Sequence, residues 1–125
     1  MNVVDSSGWI EYFFGGPNSG FFRPPLHDME RLIVPTVVLY EVVRHITRAA
    51  GRGPAQEAAA QMQRAKIADL DAPLAYLAAR LSSRHNLPMA DSIVYAAAQH
   101  HSAKLYTQDA DFEKIPGVKY VRKKR

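Results

Sequence analysis

The sequence predicts an α/β fold, a single domain in which a central, mostly parallel sheet of four or five short strands is flanked by helices. Three observations predict it. A chain of 125 residues with 47% apolar residues is the size of one ordinary domain and can enclose a core without cross-links. Short apolar runs alternate along it with helical stretches of roughly ten residues or more. Strands joined by crossover helices pair in parallel, and their sheet is covered on both faces.

The elements follow in order. Val3-Val4 form the first strand, Asp5 follows, and Ser6 or Ser7 caps a helix whose Trp9, Ile10 and Phe13 recur at helical spacing before Gly15-Gly16-Pro17 end it. The Phe-rich stretch from Phe13 to Phe22 reads as an insertion. With Trp9 and Tyr12 it gathers six aromatic residues, more than one short helix and a loop bury easily, so some of them are expected to form an association surface unless core packing takes them all. Leu32-Ile33-Val34 is a strand closed by Pro35, and Thr36 caps a helix with Val37, Val38, Glu41, Val42 and His45 on one face. Gly51-Arg52-Gly53-Pro54 breaks that helix, and Ala55 to Ala65 resumes as another. Lys66-Ile67-Ala68 is a strand candidate. Ala72 to His85 is a helix opened near Pro73, with Leu74, Leu77, Ala78 and Leu81 as its apolar stripe. Pro88 sits near the first turn of the next helix, Met89 to His101, which is apolar nearly all round and therefore buried on most sides. Lys104 to Thr107 is strand-like, Ala110 to Lys114 allows a short helix, Pro116-Gly117 turns, and Val118 to Val121 is extended.

Composition excludes several kinds of chemistry. Without cysteine there is no disulfide framework, thiolate zinc site, iron–sulfur cluster or cysteine nucleophile. The start has no basic segment, and the most apolar window, Leu32 to Tyr40, is too short to span a bilayer, so a soluble, cytoplasmic protein with no membrane partner is expected. The formal net charge of +4 is carried by Arg122-Lys123-Lys124-Arg125. Residues 1–121 therefore read as a neutral folded domain and 122–125 as a basic tail, either a solvated terminus or a contact for phosphates. No Gly-x-Ser-x-Gly elbow is present, and the five histidines lack ligand spacing.

Four carboxylates stand out by position. Asp5 and Asp109 lie just beyond predicted strands, where sheets of this kind bind ligands. Glu41 and Asp91 are lone charges in apolar helical stretches, and an isolated buried carboxylate costs several kcal/mol unless it is paired or holds a metal. Each has a plainer reading: Asp5 and Asp109 as helix caps, Asp91 as a first-turn partner of the helix dipole, Glu41 as an ion-pair partner of Arg44 or His45. Taken together they favour one shared site. Oxygen-only ligands suit Mg²⁺ or Mn²⁺, the ions of phosphoryl chemistry.

Four segments then carry a family resemblance: Val3-Val4-Asp5-Ser6-Ser7 with Trp9-Ile10; Leu39-Tyr40-Glu41-Val42; Leu87-Pro88-Met89-Ala90-Asp91-Ser92-Ile93-Val94-Tyr95-Ala96; and Leu105-Tyr106-Thr107-Gln108-Asp109-Ala110-Asp111-Phe112. In order, spacing and length the chain resembles PIN-domain ribonucleases of the VapC toxin type, from Val3 to about Tyr120. The resemblance implies a PIN-like three-layer sandwich. It implies a Mg²⁺- or Mn²⁺-dependent endoribonuclease, the toxin of a toxin–antitoxin pair, usually a homodimer and inhibited by a small VapB-like antitoxin. By matching position, Asp5, Glu41, Asp91 and Asp109 are the catalytic and metal-binding carboxylates, with Ser6 and Thr107 as hydroxyls beside them and Asp111 as a further acidic position. Activated water would attack phosphorus, leaving 5′-phosphate and 3′-hydroxyl ends, while Arg122, Lys123, Lys124 and Arg125 offer contacts to the RNA backbone. A PIN fold that only binds RNA or protein is the alternative. Receiver domains and haloacid-dehalogenase phosphatases do not fit, because Asp5-Ser6-Ser7 lacks the second acid that each needs after the first strand.

Overall fold

The computed structural model describes residues 1–124 and contains one five-stranded sheet, parallel throughout. Its strands are β1 (Asn2–Val4), β2 (Leu32–Pro35), β3 (Lys66–Ala68), β4 (Lys104–Thr107) and β5 (Val118–Tyr120), in the spatial order β3-β2-β1-β4-β5. The six helices are α1 (Ser6–Phe13), α2 (Ser19–His27), α3 (Thr36–Ala50), α4 (Arg52–Met62), α5 (Ala72–His85) and α6 (Met89–His100). No helix among the described residues is long and apolar enough to cross a membrane.

The chain builds outward from β1 to β3 on one side, then returns through α5 and α6 to build β4 and β5 on the other. The connections leaving β1 and β4 therefore diverge, and a crevice opens beyond their carboxyl ends. Register sets what meets there: Val4 pairs with Tyr106, so Asp5 and Thr107 are the next residues on adjacent strands. Val3, Val4, Leu32, Ile33, Val34 and Leu105 are buried, as a sheet covered on both faces requires. Helix α6 supplies Ser92 to Ala98, all buried.

Where structure and expectation differ, the causes are local. Asp5, not Ser6 or Ser7, caps α1, its side chain accepting from the Gly8 amide, because the helix begins one residue earlier than the serines suggest. Thr36 caps nothing, being already the first residue of α3 behind an extended Pro35. Gly51, at φ 97°, is the whole break between α3 and α4; Gly53 and Pro54 fall in the first turn of α4, where a missing N–H costs nothing, and the helix ends at Met62. The segment expected as a helix from Ala110 is a short 3-10 turn, Ala110–Phe112.

The larger difference is α2, which the sequence hides behind Pro24 and Pro25. Phe22, Pro25 and Leu26 sit on one helical face and are buried, and that burial outweighs the two missing donors in so short a helix. It also resolves the aromatic stretch. Trp9 and Phe22 are in the core, Tyr12, Phe13 and Phe21 are partly buried against it, and Phe14 is half exposed, so core packing takes most but not all of the stretch.

Helices α1 and α2 meet at Gly8, where an added Cβ would lie 2.5 Å from Val4 Cγ1 and 2.6 Å from the Phe22 ring. Helix propensity alone favours alanine by about 1 kcal/mol. Gly8→Ala is nevertheless expected to destabilise the protein by up to about 2 kcal/mol net, read as a lower urea midpoint, because overpacking of this kind costs about 1–3 kcal/mol. A raised midpoint would contradict the close approach.

Candidate active site

Asp5 leaves β1 with its amide donating to the Tyr106 carbonyl at 3.2 Å, so its position is fixed by the sheet. Its carboxylate is almost fully buried and takes three donors: the Thr107 hydroxyl at 2.5 Å on Oδ2, and the Ser7 hydroxyl at 2.7 Å and the Gly8 amide at 3.2 Å on Oδ1. Burial still dominates and pushes its pKa up to about 6, with the charge of Asp109 adding to the rise. Thr107 Oγ1 in turn accepts from the Asp109 amide at 2.9 Å. One hydroxyl thus holds the ends of both strands together.

Beyond β4 the chain turns sharply. Asp109 caps the 3-10 turn, its Oδ1 accepting from the Asp111 amide at 2.9 Å, and the turn brings Asp111 back toward Asp91 in the first turn of α6. Asp91, Asp109 and Asp111 each offer an oxygen, and these atoms lie within 4.8 Å of one another. Asp91 is pushed up to about 8, by desolvation first, then by its hydrogen bond to Asp111, then by the charges of Asp109, Asp111 and Asp5. Glu41, half-buried on α3, is also raised, mainly by burial; the Ser6 hydroxyl partly offsets this and the charge of Asp109 adds to it.

Asp91, Asp109 and Asp111 thus form the tight group, while Asp5 and Glu41 belong to the same electrostatic neighbourhood but lie outside it. Asp111, which the sequence places at the margin, is one of the three. Asp5 and Asp109 also act as caps, as the plainer reading expects, and Asp109 is at the same time a member of the tight group. Glu41 forms no ion pair with Arg44 or His45; among the described residues the one ion pair is Arg31–Asp28. Like-charged carboxylates this close repel unless protons or a cation intervene, and their hard oxygen donors fit a divalent ion such as Mg²⁺, Mn²⁺ or Ca²⁺.

Two buried amides went unseen in the sequence. Asn18 Nδ2 donates to Gln108 Oε1 at 2.9 Å and to the Arg122 carbonyl at 3.0 Å, and Gln108 Nε2 donates to Glu11 Oε1 at 3.3 Å. No spacing marks residues 90 positions apart as partners. Arg122 and Lys123 line a cavity beside Asp109, Lys124 is exposed, and Arg125 lies outside the described residues.

The sequence pattern of the PIN domain matches residues 3–118, a span that holds Asp5, Glu41, Asp91, Asp109 and Asp111. The chain belongs to the PIN-domain family. Solved structures share its fold over nearly the whole length. The Mycobacterium tuberculosis toxin VapC20, which cleaves the sarcin–ricin loop, is 21% identical with a TM-score of 0.80, covering 98% of this chain and 100% of its own. A toxin–antitoxin complex from Klebsiella pneumoniae gives 21% and 0.76 over 94% and 95%, and DNA-bound VapBC from Salmonella typhimurium 17% and 0.74 over 98% of each chain. No curated protein matches the sequence significantly.

The raised carboxylates of this PIN domain fix the sign of its pH dependence. Asp5 and Asp91 bind protons more tightly folded than unfolded, so their contribution to stability is complete below the ordinary value of 3.8 and is lost as pH rises through about 6 and about 8, respectively. In EDTA the melting temperature should fall between pH 7 and pH 9. Asp91→Asn should remove most of that fall and melt above wild type at pH 9, and millimolar Mg²⁺ should stabilise wild type but scarcely the variant. A flat wild-type profile with no metal shift would count against the acidic site.

Proposed function

We propose that this PIN domain is a Mg²⁺- or Mn²⁺-dependent endoribonuclease and the toxin of a VapC-type toxin–antitoxin pair. The observation that carries the reading is the meeting of Asp91, Asp109 and Asp111, with Asp5 and Glu41 beside them, at the crevice between β1 and β4. Asp91, Asp109 and Asp111 would hold the ion, with Asp5 and Glu41 completing the acidic set. A bound divalent ion would supply Lewis-acid stabilisation of charge on the phosphate and lower the pKa of water.

The remaining work falls to the side chains. Thr107 and Ser7 hold Asp5 in one orientation, and the Ser6 hydroxyl favours the charged form of Glu41. Glu41, less enclosed than Asp5 and with a raised pKa, would take a proton from the water that attacks phosphorus. As water attacks, the bond from phosphorus to the 3′-oxygen would break while the ribose 2′-hydroxyl takes no part, so the cut ends would be a 5′-phosphate and a 3′-hydroxyl. The occurrence of chains of this fold in toxin–antitoxin complexes supports a small protein antitoxin as the partner.

Purified protein should cut RNA with Mg²⁺ or Mn²⁺, and EDTA should stop it. Asp91→Asn and Asp5→Asn should abolish cleavage, and their inactivity also controls for a contaminating nuclease. Thr107→Val, which keeps the shape and removes the hydroxyl, should lose about 10–100-fold, the usual effect of removing a hydrogen-bond partner of a ligand. Cleavage by Asp91→Asn at the wild-type rate would overturn the reading. RNA binding without cleavage by the wild type would leave a binding module.

A further inference from the structure

Beside the acidic group lies a second, differently charged feature: a cavity of about 500 Å³ lined by Gln108, Asp109, Tyr120, Arg122 and Lys123. We propose that it is a nucleotide subsite, holding one unpaired nucleotide of the RNA strand next to the bond that is cut, with the base on Tyr120 and a phosphate on Arg122 and Lys123. The inference rests on the ribonuclease reading and adds to it where the strand runs.

Four observations carry it. Asp109 belongs both to the carboxylate group and to the cavity wall, so an occupant abuts the reacting site. The opposite wall is built rather than frayed: the Val121 amide donates to the Thr107 carbonyl at 3.0 Å, and the buried Asn18 amide grips the Arg122 carbonyl at 3.0 Å while it also holds Gln108. Arg122 and Lys123 make no ion pair among the described residues, although Asp109 and Glu113 line the same cavity, so both cations remain available to an anion. The half-buried Tyr120 contributes an aromatic ring to the lining. Aromatic rings receive unpaired bases and basic side chains receive the backbone, and the volume falls within the range of about 300–1,000 Å³ typical of ligand sites.

The test is fluorescence anisotropy of a labelled single-stranded RNA oligonucleotide with the full chain in EDTA, across a series of KCl concentrations. Arg122→Ala/Lys123→Ala should weaken binding and reduce the slope of log affinity against log salt by about 1.4, since each single-strand phosphate contact contributes about 0.7. Tyr120→Leu should weaken binding about five- to a hundredfold with the slope unchanged. Asn18→Ala, which frees the Arg122 backbone without touching a charge, should weaken binding in the same direction. Removing the same charge elsewhere, with Arg80→Ala/Arg84→Ala on α5, should leave the slope near wild type. Each variant should keep the Mg²⁺-induced rise in melting temperature, which reports an intact acidic site. Wild-type affinity and slope in Arg122→Ala/Lys123→Ala, an equal loss in the α5 pair, or no RNA binding by wild type would overturn the subsite. Wild-type cleavage that is EDTA-sensitive while Arg122→Ala/Lys123→Ala keeps its KM would sink the subsite and spare the ribonuclease reading; absence of EDTA-sensitive cleavage in wild type would sink that reading itself.

Discussion

The arrangement depends on one buried hydrogen bond, from the Thr107 hydroxyl to Asp5. Parallel pairing of β1 with β4 brings the two residues side by side, but pairing alone would leave the buried Asp5 carboxylate without the Thr107 donor. A hydroxyl is the smallest group that can donate and accept at once, and Thr107 does both, giving its proton to Asp5 and receiving the amide of Asp109. The end of one strand, the end of its neighbour and the turn that carries two further acids thereby become one rigid object. Valine in that place would keep the packing and strand two polar groups.

The carboxylates around this bond are of two kinds. Asp5 takes three donors that offset part of its burial and fix its orientation. Asp91, Asp109 and Asp111 face one another instead, and Asp91 meets the repulsion by keeping a proton well above the usual carboxylate range. A proton and a divalent cation would compete for those oxygens, so affinity for an ion held there would rise with pH. Such a cluster lowers the stability of the fold that holds it, as functional sites commonly do.

The sequence makes some of this legible and hides the rest for definable reasons. Helix α5, Ala72–His85, is found at its full length because its apolar stripe and its ends agree. Glu41 and Asp91 are conspicuous because each is a lone charge among apolar neighbours, a signal that needs no tertiary information. Asp111 gives no such signal, since a second acid two residues after Asp109 is ordinary on a surface; only the 3-10 turn carries it back to Asp91. Helix α2 is invisible because two prolines veto it locally, and the packing of Phe22, Pro25 and Leu26 that restores it is a property of the folded whole. The cap of α1 shifts by one residue because Asp5, Ser6 and Ser7 are all good caps and composition cannot choose among them. Asp5 wins because the sheet ends there.

The charge distribution completes the picture. The carboxylate crevice is hostile to a polyanion, and a body whose acidic and basic residues balance does nothing to attract one from a distance. The excess positive charge sits at the C-terminal end, and Asn18 and the continued pairing beyond β5 hold the first of those residues against the crevice rather than leaving it in solvent. Acid and base therefore meet along one edge, the acids gathered by β1, β4 and α6 and the bases by the strand that follows. A short terminal segment can contribute a defined surface when its backbone is hydrogen-bonded, whatever the freedom of its side chains, and here that bond comes from Asn18 at the start of the helix the sequence conceals.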